Sequence, residues 1–255
     1  MDVKTLLHED KKFSFEISGV DTCFLNTLRR LIIEEVPTLA IEEVNFIDNS
    51  SGLYDEMVAL RLGLVPLKTD LKSYVLPEEA KNEHDPKAFL NFKLKVKGPS
   101  NVYAFDLKSQ DPKVTAVYDK ILILKLFENQ HLELEATANL GKGKNHVKFS
   151  PGLAYYNHKY KINVKQKDPG EFKNKYPPQI FDKDGKIDSK LITPQLIDAC
   201  KNVNNEIIEV KEIEDSFEFY LESWGQLEVK EIFSQAIEIF NEKLDSFEKE
   251  LKKVK

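Results

Sequence analysis

The sequence predicts an α+β fold, in which strands and helices occupy different stretches of the chain. A strand, a turn and a helix follow one another within residues 13–36, a series of short strands fills the middle, and a long amphipathic helix lies near the C-terminus. Hydrophobic residues make up 41% of the 255 residues, which is enough apolar material for a core.

The N-terminal strand and helix are predicted from their apolar spacing. Residues 13–17 alternate apolar and polar side chains, which is typical of a half-buried strand. Gly19 ends the strand, and Asp21 is placed to cap the helix because its carboxylate can accept from the first N–H groups. Pro37 ends the helix. The apolar residues at helical spacing are Phe24, Leu28, Leu31 and Ile32.

The middle of the chain is predicted to be mainly β. Residues 54–64 suggest a short helix, and residues 66–86 a long excursion. Residues 141–144 (GKGK) are glycine-rich and basic but lack the spacing of a phosphate-binding loop, so they predict a hairpin connection. The predicted strands are residues 41–47, 89–96, 102–107, 121–127 and 131–138.

Residues 159–209 carry proline-rich turns and a short predicted helix over 194–203. Few large apolar residues are available here, so the segment is expected to need a neighbour or a metal for stability. A further strand is predicted at residues 217–221.

The strongest helix signal covers residues 228–252, where apolar residues recur at steps of three and four. At 1.5 Å per residue this helix is about 37 Å long. Its first turns can pack on the chain's own core. A helix of this length overhangs one small sheet, so part of its apolar face is expected to be covered by another subunit.

Charge and motifs exclude several functions. The formal net charge of −6 argues against a broad nucleic-acid-binding face. Two distant cysteines, Cys23 and Cys200, form no disulfide framework, and no apolar run approaches membrane-helix length, so we expect a soluble cytoplasmic protein, or a nuclear one in a eukaryote. No His-x-x-x-His pair or Gly-x-Ser-x-Gly elbow is present to support catalysis.

Several motifs together resemble the alpha-like subunits of multisubunit RNA polymerases, most closely the archaeal D-type form, which is related to the bacterial alpha N-terminal domain and the third-largest eukaryotic subunits. The similarity continues through residues 141–151 and 216–225 and so spans nearly the whole chain. The motifs are FLNTLRR at 24–30, EVPTLAIE at 35–42, NSS at 49–51, YDE at 54–56 and RLGLVPL at 61–67.

The resemblance implies a discontinuous dimerisation domain made of residues 1–38 and 210–255, with an inserted mainly-β domain at 39–158 and a small, degenerate ferredoxin-like segment at 159–209. The dimerisation domain is expected to pair with a small alpha-like subunit, called L in archaea. The implied heterodimer interface is Phe24, Leu28, Leu31, Ile32, Phe233, Ile237, Phe240, Leu244 and Phe247.

The resemblance also implies surfaces that dock the second-largest polymerase subunit and small zinc-binding subunits. Arginine suits such surfaces because its planar fork pairs with carboxylates and carbonyls. For Asp55 and Glu56 the alternative is that they only brace the local fold. DNA and RNA are expected to be contacted only through the complex, and this chain is expected to supply no catalytic residue. The implied docking residues are Asn26, Arg29, Arg30, Asp55, Glu56 and Arg61.

Three departures from the family concern metals and one side chain. The family often has His where Leu60 stands. Many relatives carry a cysteine cluster in the loop matching residues 76–88, which has none here, so no zinc site is expected. Many archaeal relatives carry an iron–sulfur module at 159–209, but Cys200 alone cannot hold a cluster that needs three or four thiolates. We therefore expect no cofactor, and Cys200 as a small buried apolar residue.

Two other functions stay open. A redox or metal-sensing protein built on residues 159–209 is disfavoured by the cysteine count, and an absorbance scan would detect a cluster. An independent homodimer is permitted by the C-terminal helix, and size-exclusion chromatography with and without a small partner would distinguish it from a heterodimer.

Overall fold

The computed structural model describes residues 1–82, 85–193 and 196–253. The start of the predicted helix at Pro194 and the last two residues of the predicted dimerisation segment 210–255 lie outside the described residues.

The described chain combines helices with antiparallel sheets, which confirms the α+β prediction at that level. The strands are β1 (Asp2–His8), β2 (Lys12–Ser18), β3 (Pro37–Asn49), β4 (Phe89–Lys97), β5 (Ser100–Tyr103), β6 (Lys108–Ser109), β7 (Leu122–Leu126), β8 (His131–Lys142), β9 (Gly152–Val164) and β10 (Ile208–Ser223). The helices are α1 (Thr22–Arg30), α2 (Asp55–Gly63), α3 (Ile197–Cys200) and α4 (Val229–Lys253), and a π-helical turn, Leu31–Glu35, follows α1.

The chain forms two compact units. The small unit comprises residues 1–4, 15–21 and 156–219, and the large unit comprises residues 5–14, 22–155 and 220–255. One sheet has the strand order β1-β2-β10-β9, and a second has the order β3-β8-β4-β6. The three-part division predicted from the sequence stays a prediction.

The core of the large unit lies on one face of the β3-β8-β4-β6 sheet. Strand β8 pairs antiparallel with both β3 and β4. Its side chains alternate between buried and half-buried positions, because successive residues of a strand point to opposite faces of the sheet. Val58 and Leu62 of α2 join this core and are completely buried. The sheet contributes Leu39, Ile41, Leu90, Phe92, Leu94, Leu132, Leu134, Ala136, Ala138 and Leu140.

A buried polar network joins the start of β3 to the loop before α4. The Thr38 hydroxyl donates to the Phe149 carbonyl at 2.8 Å, and the Gln226 amide donates to the Thr38 oxygen at 3.4 Å. The Thr69 N–H donates to the Gln226 carbonyl at 2.9 Å. Because buried polar groups are costly to leave unpaired, these bonds fix the point from which α4 begins.

The small unit has a hydrophobic core of its own. Its buried side chains are Tyr176, Ile180, Ile187, Ile192, Ile197, Cys200, Ile207 and Ile208. The expectation that residues 159–209 lack core residues was therefore wrong: isoleucines spread thinly along the chain converge when the turns fold. Cys200 is fully buried, as predicted, and burial raises the pKa of its thiol.

Most predicted elements are present, with longer strands than expected. Strand β3 runs from Pro37 to Asn49 and absorbs two register shifts, between Ile41 and Glu43 and between Phe46 and Asp48. Helix α1 begins at Thr22, directly after Asp21, and passes into the π-helical turn before Pro37.

Three local predictions need correction. Residues 141–144 were predicted to connect a hairpin, but β8 and β9, on either side, belong to different sheets. The strand predicted at 102–107 ends at Tyr103, because the Tyr103 N–H donates to Asp106 at 2.9 Å and a 3₁₀ turn follows. Strand β1 was not predicted, because all its side chains are exposed and no alternation marks it.

Among residues 1–82, 85–193 and 196–253, no helix is both long and apolar enough to span a membrane.

Phe92→Ala tests the large-unit core. Phe92 is 1% exposed, so truncation removes buried apolar surface and leaves a cavity. We expect a loss of about 3–5 kcal/mol in the free energy of unfolding, measured by denaturant titration. Phe127→Ala is the matched control, because Phe127 is 60% exposed and should cost far less. Equal losses for both variants would contradict this assignment of the core.

Candidate subunit interfaces

Helix α4 packs on the core of its own chain along its first turns. Val229, Ile232 and Ala236 are buried. The Phe233 ring packs edge-on against Phe13, with 6.3 Å between the ring centroids. About two turns further along the helix, Phe240 packs in the same way against Phe24 at 6.5 Å. From residue 241 to 253, every side chain of α4 is exposed. The second half of the helix therefore extends beyond its core.

An apolar face begins at Ile237 and continues along this exposed half. We call it the α4 stripe, consisting of Ile237, Leu244, Phe247 and Leu251. Its most exposed member is Phe247, whose side chain is 63% exposed. A single exposed leucine needs no explanation, but large apolar residues repeated along one helix face mark an interaction surface. The helix thus presents a surface that its own chain leaves uncovered.

The structure divides the predicted heterodimer interface into three groups. Leu28, Leu31 and Ile32 are buried inside the chain, because α1 and the π-helical turn use them to pack on the chain's own core. The half-buried members are Phe24, Phe233 and Phe240, and the exposed members are Ile237, Leu244 and Phe247. Leu251 extends the exposed group by one further turn.

Glu35, at the end of the π-helical turn, forms ion pairs with three lysines. Its carboxylate lies 3.0 Å from the Lys243 ammonium of α4, 3.5 Å from that of Lys142 and 3.6 Å from that of Lys144. Partial burial acts to raise the pKa of Glu35, but Lys243, Lys144 and Lys142 outweigh it and hold that pKa below its ordinary value. Glu35 is therefore charged at neutral pH and ties α4 to the turn.

The predicted docking residues of α1 and the following turn are held by local hydrogen bonds. The Arg29 guanidinium donates to the Asn26 oxygen at 3.2 and 3.0 Å. The Nε and Nη2 groups of Arg30 donate to the two carboxylate oxygens of Glu34, at 3.1 and 2.9 Å. These bonds hold the pKa of Glu34 below its ordinary value. The guanidinium groups of Arg29 and Arg30 are thus held in one orientation on the helix surface by neighbours on the same segment.

The second group of docking residues lies on α2. Asp55 accepts a hydrogen bond from the Asn49 amide at 2.7 Å, so it does brace the local fold, and its charge at the first turn favours the helix. Arg61 donates to the Leu122 carbonyl at 2.7 Å, which ties α2 to β7. Glu56 is exposed.

An apolar stripe on α2 was missed by the sequence analysis. Its members are Tyr54, just before the helix, with Met57, Leu60 and Leu64, and they are 82%, 47%, 54% and 53% exposed. Spacing of three, three and four residues places them on one face. That spacing is visible in the sequence, but spacing alone does not say which face of the helix is buried. In the structure Val58 and Leu62 supply the buried face, so the stripe is left exposed. We call this surface the α2 stripe.

No group of three or more His, Cys, Asp or Glu side chains that could hold a metal ion occurs in the part of the chain that the structure describes. The fully buried Cys200 has a raised thiol pKa, and a raised pKa disfavours the thiolate that would bind a metal.

The Glu35 ion pairs predict a dependence of stability on pH. Because the folded-state pKa of Glu35 is depressed, its stabilisation is complete above the ordinary glutamate pKa of about 4.3 and is lost as pH falls through the lower folded-state value. We expect Glu35→Gln to lower the free energy of unfolding by about 1 kcal/mol at pH 7. The difference from the unmodified chain should shrink between about pH 5 and pH 3 in urea titrations. A difference that stays constant over this range would contradict the assignment.

Comparisons with known proteins identify relatives of this chain. The sequence model of the RNA polymerase Rpb3/RpoA insert domain matches residues 43–152. DNA-directed RNA polymerase subunit Rpo3 of Thermococcus kodakarensis is 35% identical over 100% of this chain and 99% of its own length. The proteins of the same name from Pyrococcus furiosus and Archaeoglobus fulgidus are 34% and 33% identical, over 100% and 99% of this chain and 98% of their own lengths.

The resemblance noted in the sequence is thereby confirmed over the full length of the chain, including the segment that contains the small unit. The chain belongs to the family of alpha-like RNA polymerase subunits that includes archaeal Rpo3.

Proposed function

We propose that this chain is a non-catalytic assembly subunit of DNA-directed RNA polymerase, and that the α4 stripe binds a small alpha-like subunit. The observation that carries the proposal is the exposed apolar half of a helix whose first half is packed normally. Aromatic side chains, including phenylalanine, are enriched at protein interfaces, whose fully buried cores are more apolar than the rest of the surface.

The α4 stripe fits a partner with a matching helix face better than it fits solvent. Phe247 and Leu244 supply the apolar area, and charged residues on both sides, such as Lys243 and Glu248, supply a polar rim. Phe24 and Phe240 already meet at the base of the stripe, so a partner helix would continue an existing aromatic contact. The half-buried members of the predicted interface therefore border the surface, and the exposed members form its centre.

The α2 stripe is the second docking surface. It combines apolar side chains with Glu56 and Arg61, and it lies on the insert-domain part of the large unit. On α1, the restrained forks of Arg29 and Arg30 lose little side-chain entropy on binding, which favours docking of carboxylates or carbonyls. We assign these two surfaces to the second-largest polymerase subunit and to small zinc-binding subunits.

The remaining parts of the proposal follow from what an assembly subunit needs. The chain works in the cytoplasm, contacts DNA and RNA only through the complex, and holds no cofactor, while the large subunits supply the chemistry of nucleotide addition. Its net charge of −6 supports this division of labour. Residues 1–38 and 210–255 form the dimerisation domain, and residues 159–209 are a ferredoxin-like remnant without a cluster.

Phe247→Glu tests the first interface. A charge at the centre of an apolar contact should weaken binding of the small alpha-like subunit at least tenfold, while the free energy of unfolding stays within about 0.5 kcal/mol because Phe247 is exposed. Co-purification from native cells, followed by titration with the small subunit, measures both effects. Phe127→Glu, at a similarly exposed phenylalanine of the insert domain, is the control. Recovery of the unmodified chain alone, or only as a self-dimer, would sink the polymerase assignment.

Met57→Glu combined with Leu64→Glu tests the second interface. Both side chains are exposed on the α2 stripe, so the fold should persist. We expect the small alpha-like subunit to co-purify as before and the second-largest subunit to fall at least tenfold in yield. Ile47→Glu, at an exposed position of β3, is the control. Normal recovery of the large subunit with the double variant would show that the α2 stripe is not its docking surface.

A further inference from the structure

Residues 141–144, the glycine-rich basic segment, pack directly against the backbone of the π-helical turn. A Cβ added at Gly143 would lie 1.9 Å from the Ile33 carbonyl oxygen, so only glycine permits this close approach. The Lys144 N–H donates to the Glu34 carbonyl at 3.0 Å. The end of β8 and the connection that follows it are thereby fixed against the turn.

This approach brings Lys142 and Lys144 to Glu35, which Lys243 reaches from α4. The Glu35 side chain is 13% exposed, whereas those of the lysines are 28% to 52% exposed. One carboxylate needs only one cation for neutralisation. Three cations from two separate segments indicate a geometric role, in which the turn holds the β8 connection and α4 at the same time.

Lys243 lies where α4 leaves its core. Ala236 is the last buried side chain of the helix, and the side chains from residue 241 to 253 are exposed. Further along, the pairs Lys252–Glu248 and Lys253–Glu250 join residues of the helix to each other and cannot restrain its direction. The pair Glu35–Lys243 therefore acts at the base of the exposed half.

We propose that Glu35 is a positioning residue for subunit pairing. Together with Lys142, Lys144 and Lys243 it forms a clamp, the Glu35 clamp, which holds the exposed half of α4 at the angle that the partner requires. The inference rests on the proposed function, since it assumes that the α4 stripe binds a small alpha-like subunit. It makes the end of β8, an insert-domain strand, part of the pairing device.

The physical basis is preorganisation. A helix held at one angle has less orientational freedom to lose on binding, and affinity falls in proportion to the population of the competent arrangement. A released α4 would keep its anchored first turns, but its exposed half would open its helical hydrogen bonds more often. It would lose the fixed direction of the stripe.

The test compares Glu35→Gln, Lys243→Met and the control Lys252→Met in the full chain. Glu35→Gln keeps the side-chain shape, and Lys252→Met removes a lysine of the same helix whose ion pair stays within the helix. Hydrogen exchange of the free chain should be about tenfold faster in residues 239–251 of α4 for the first two variants. In α2 it should rise by no more than the factor of about five that a loss of about 1 kcal/mol in the free energy of unfolding gives. Titration with the small alpha-like subunit should show about tenfold weaker binding for the same two variants, with the control unchanged.

Each other outcome overturns the inference in a distinguishable way. Unchanged exchange rates and affinities in Glu35→Gln and Lys243→Met would disprove the positioning role of Glu35. Binding of the small subunit by the unmodified chain would still support the proposed function. An equal rise of exchange in α2 and in α4 would show that Glu35 forms only an ordinary stabilising ion pair. Failure of the unmodified chain to bind the small subunit would overturn the proposed function, and the positioning role with it.

Discussion

The structure depends on how α4 is held, because this helix has more apolar surface than its own chain covers. Its origin is fixed by the buried bonds that join Gln226, Thr38 and Phe149, and its first turns bury Val229, Ile232 and Ala236. From residue 241 to residue 253 every side chain of the helix is exposed, including the apolar ones. Exposed apolar area of this kind is unfavourable in water and favours association.

The π-helical turn gives that constraint its geometry. One extra residue in the turn closes the Val36 N–H on the Leu31 carbonyl at 3.2 Å. Such turns are frequent at functional sites. Here the turn presents Glu35 to α4 and the Ile33 carbonyl to Gly143, so one irregular turn contacts two distant segments.

Two sequence motifs acquire their meaning from these contacts. Residues 141–144 look like a degenerate phosphate loop or a hairpin, yet their glycine serves a close backbone approach and their lysines face one carboxylate. Arg29 and Arg30 look available for docking, yet each is held by a neighbour three or four residues away. Local restraint of this kind suits a surface that must be ready before its partner arrives.

The sequence by itself determined the secondary structure type of most elements, the amphipathic face of α4 and the family, because periodicity and motif order are local properties. It did not determine which apolar residues become buried. Leu28, Leu31 and Ile32 have the same spacing as an interface, and only packing places them inside. The core of the small unit and the α2 stripe were likewise decided by tertiary structure, since burial depends on which distant segments meet. The Glu35 clamp joins residues separated by more than a hundred positions along the chain, and no local pattern records such a contact.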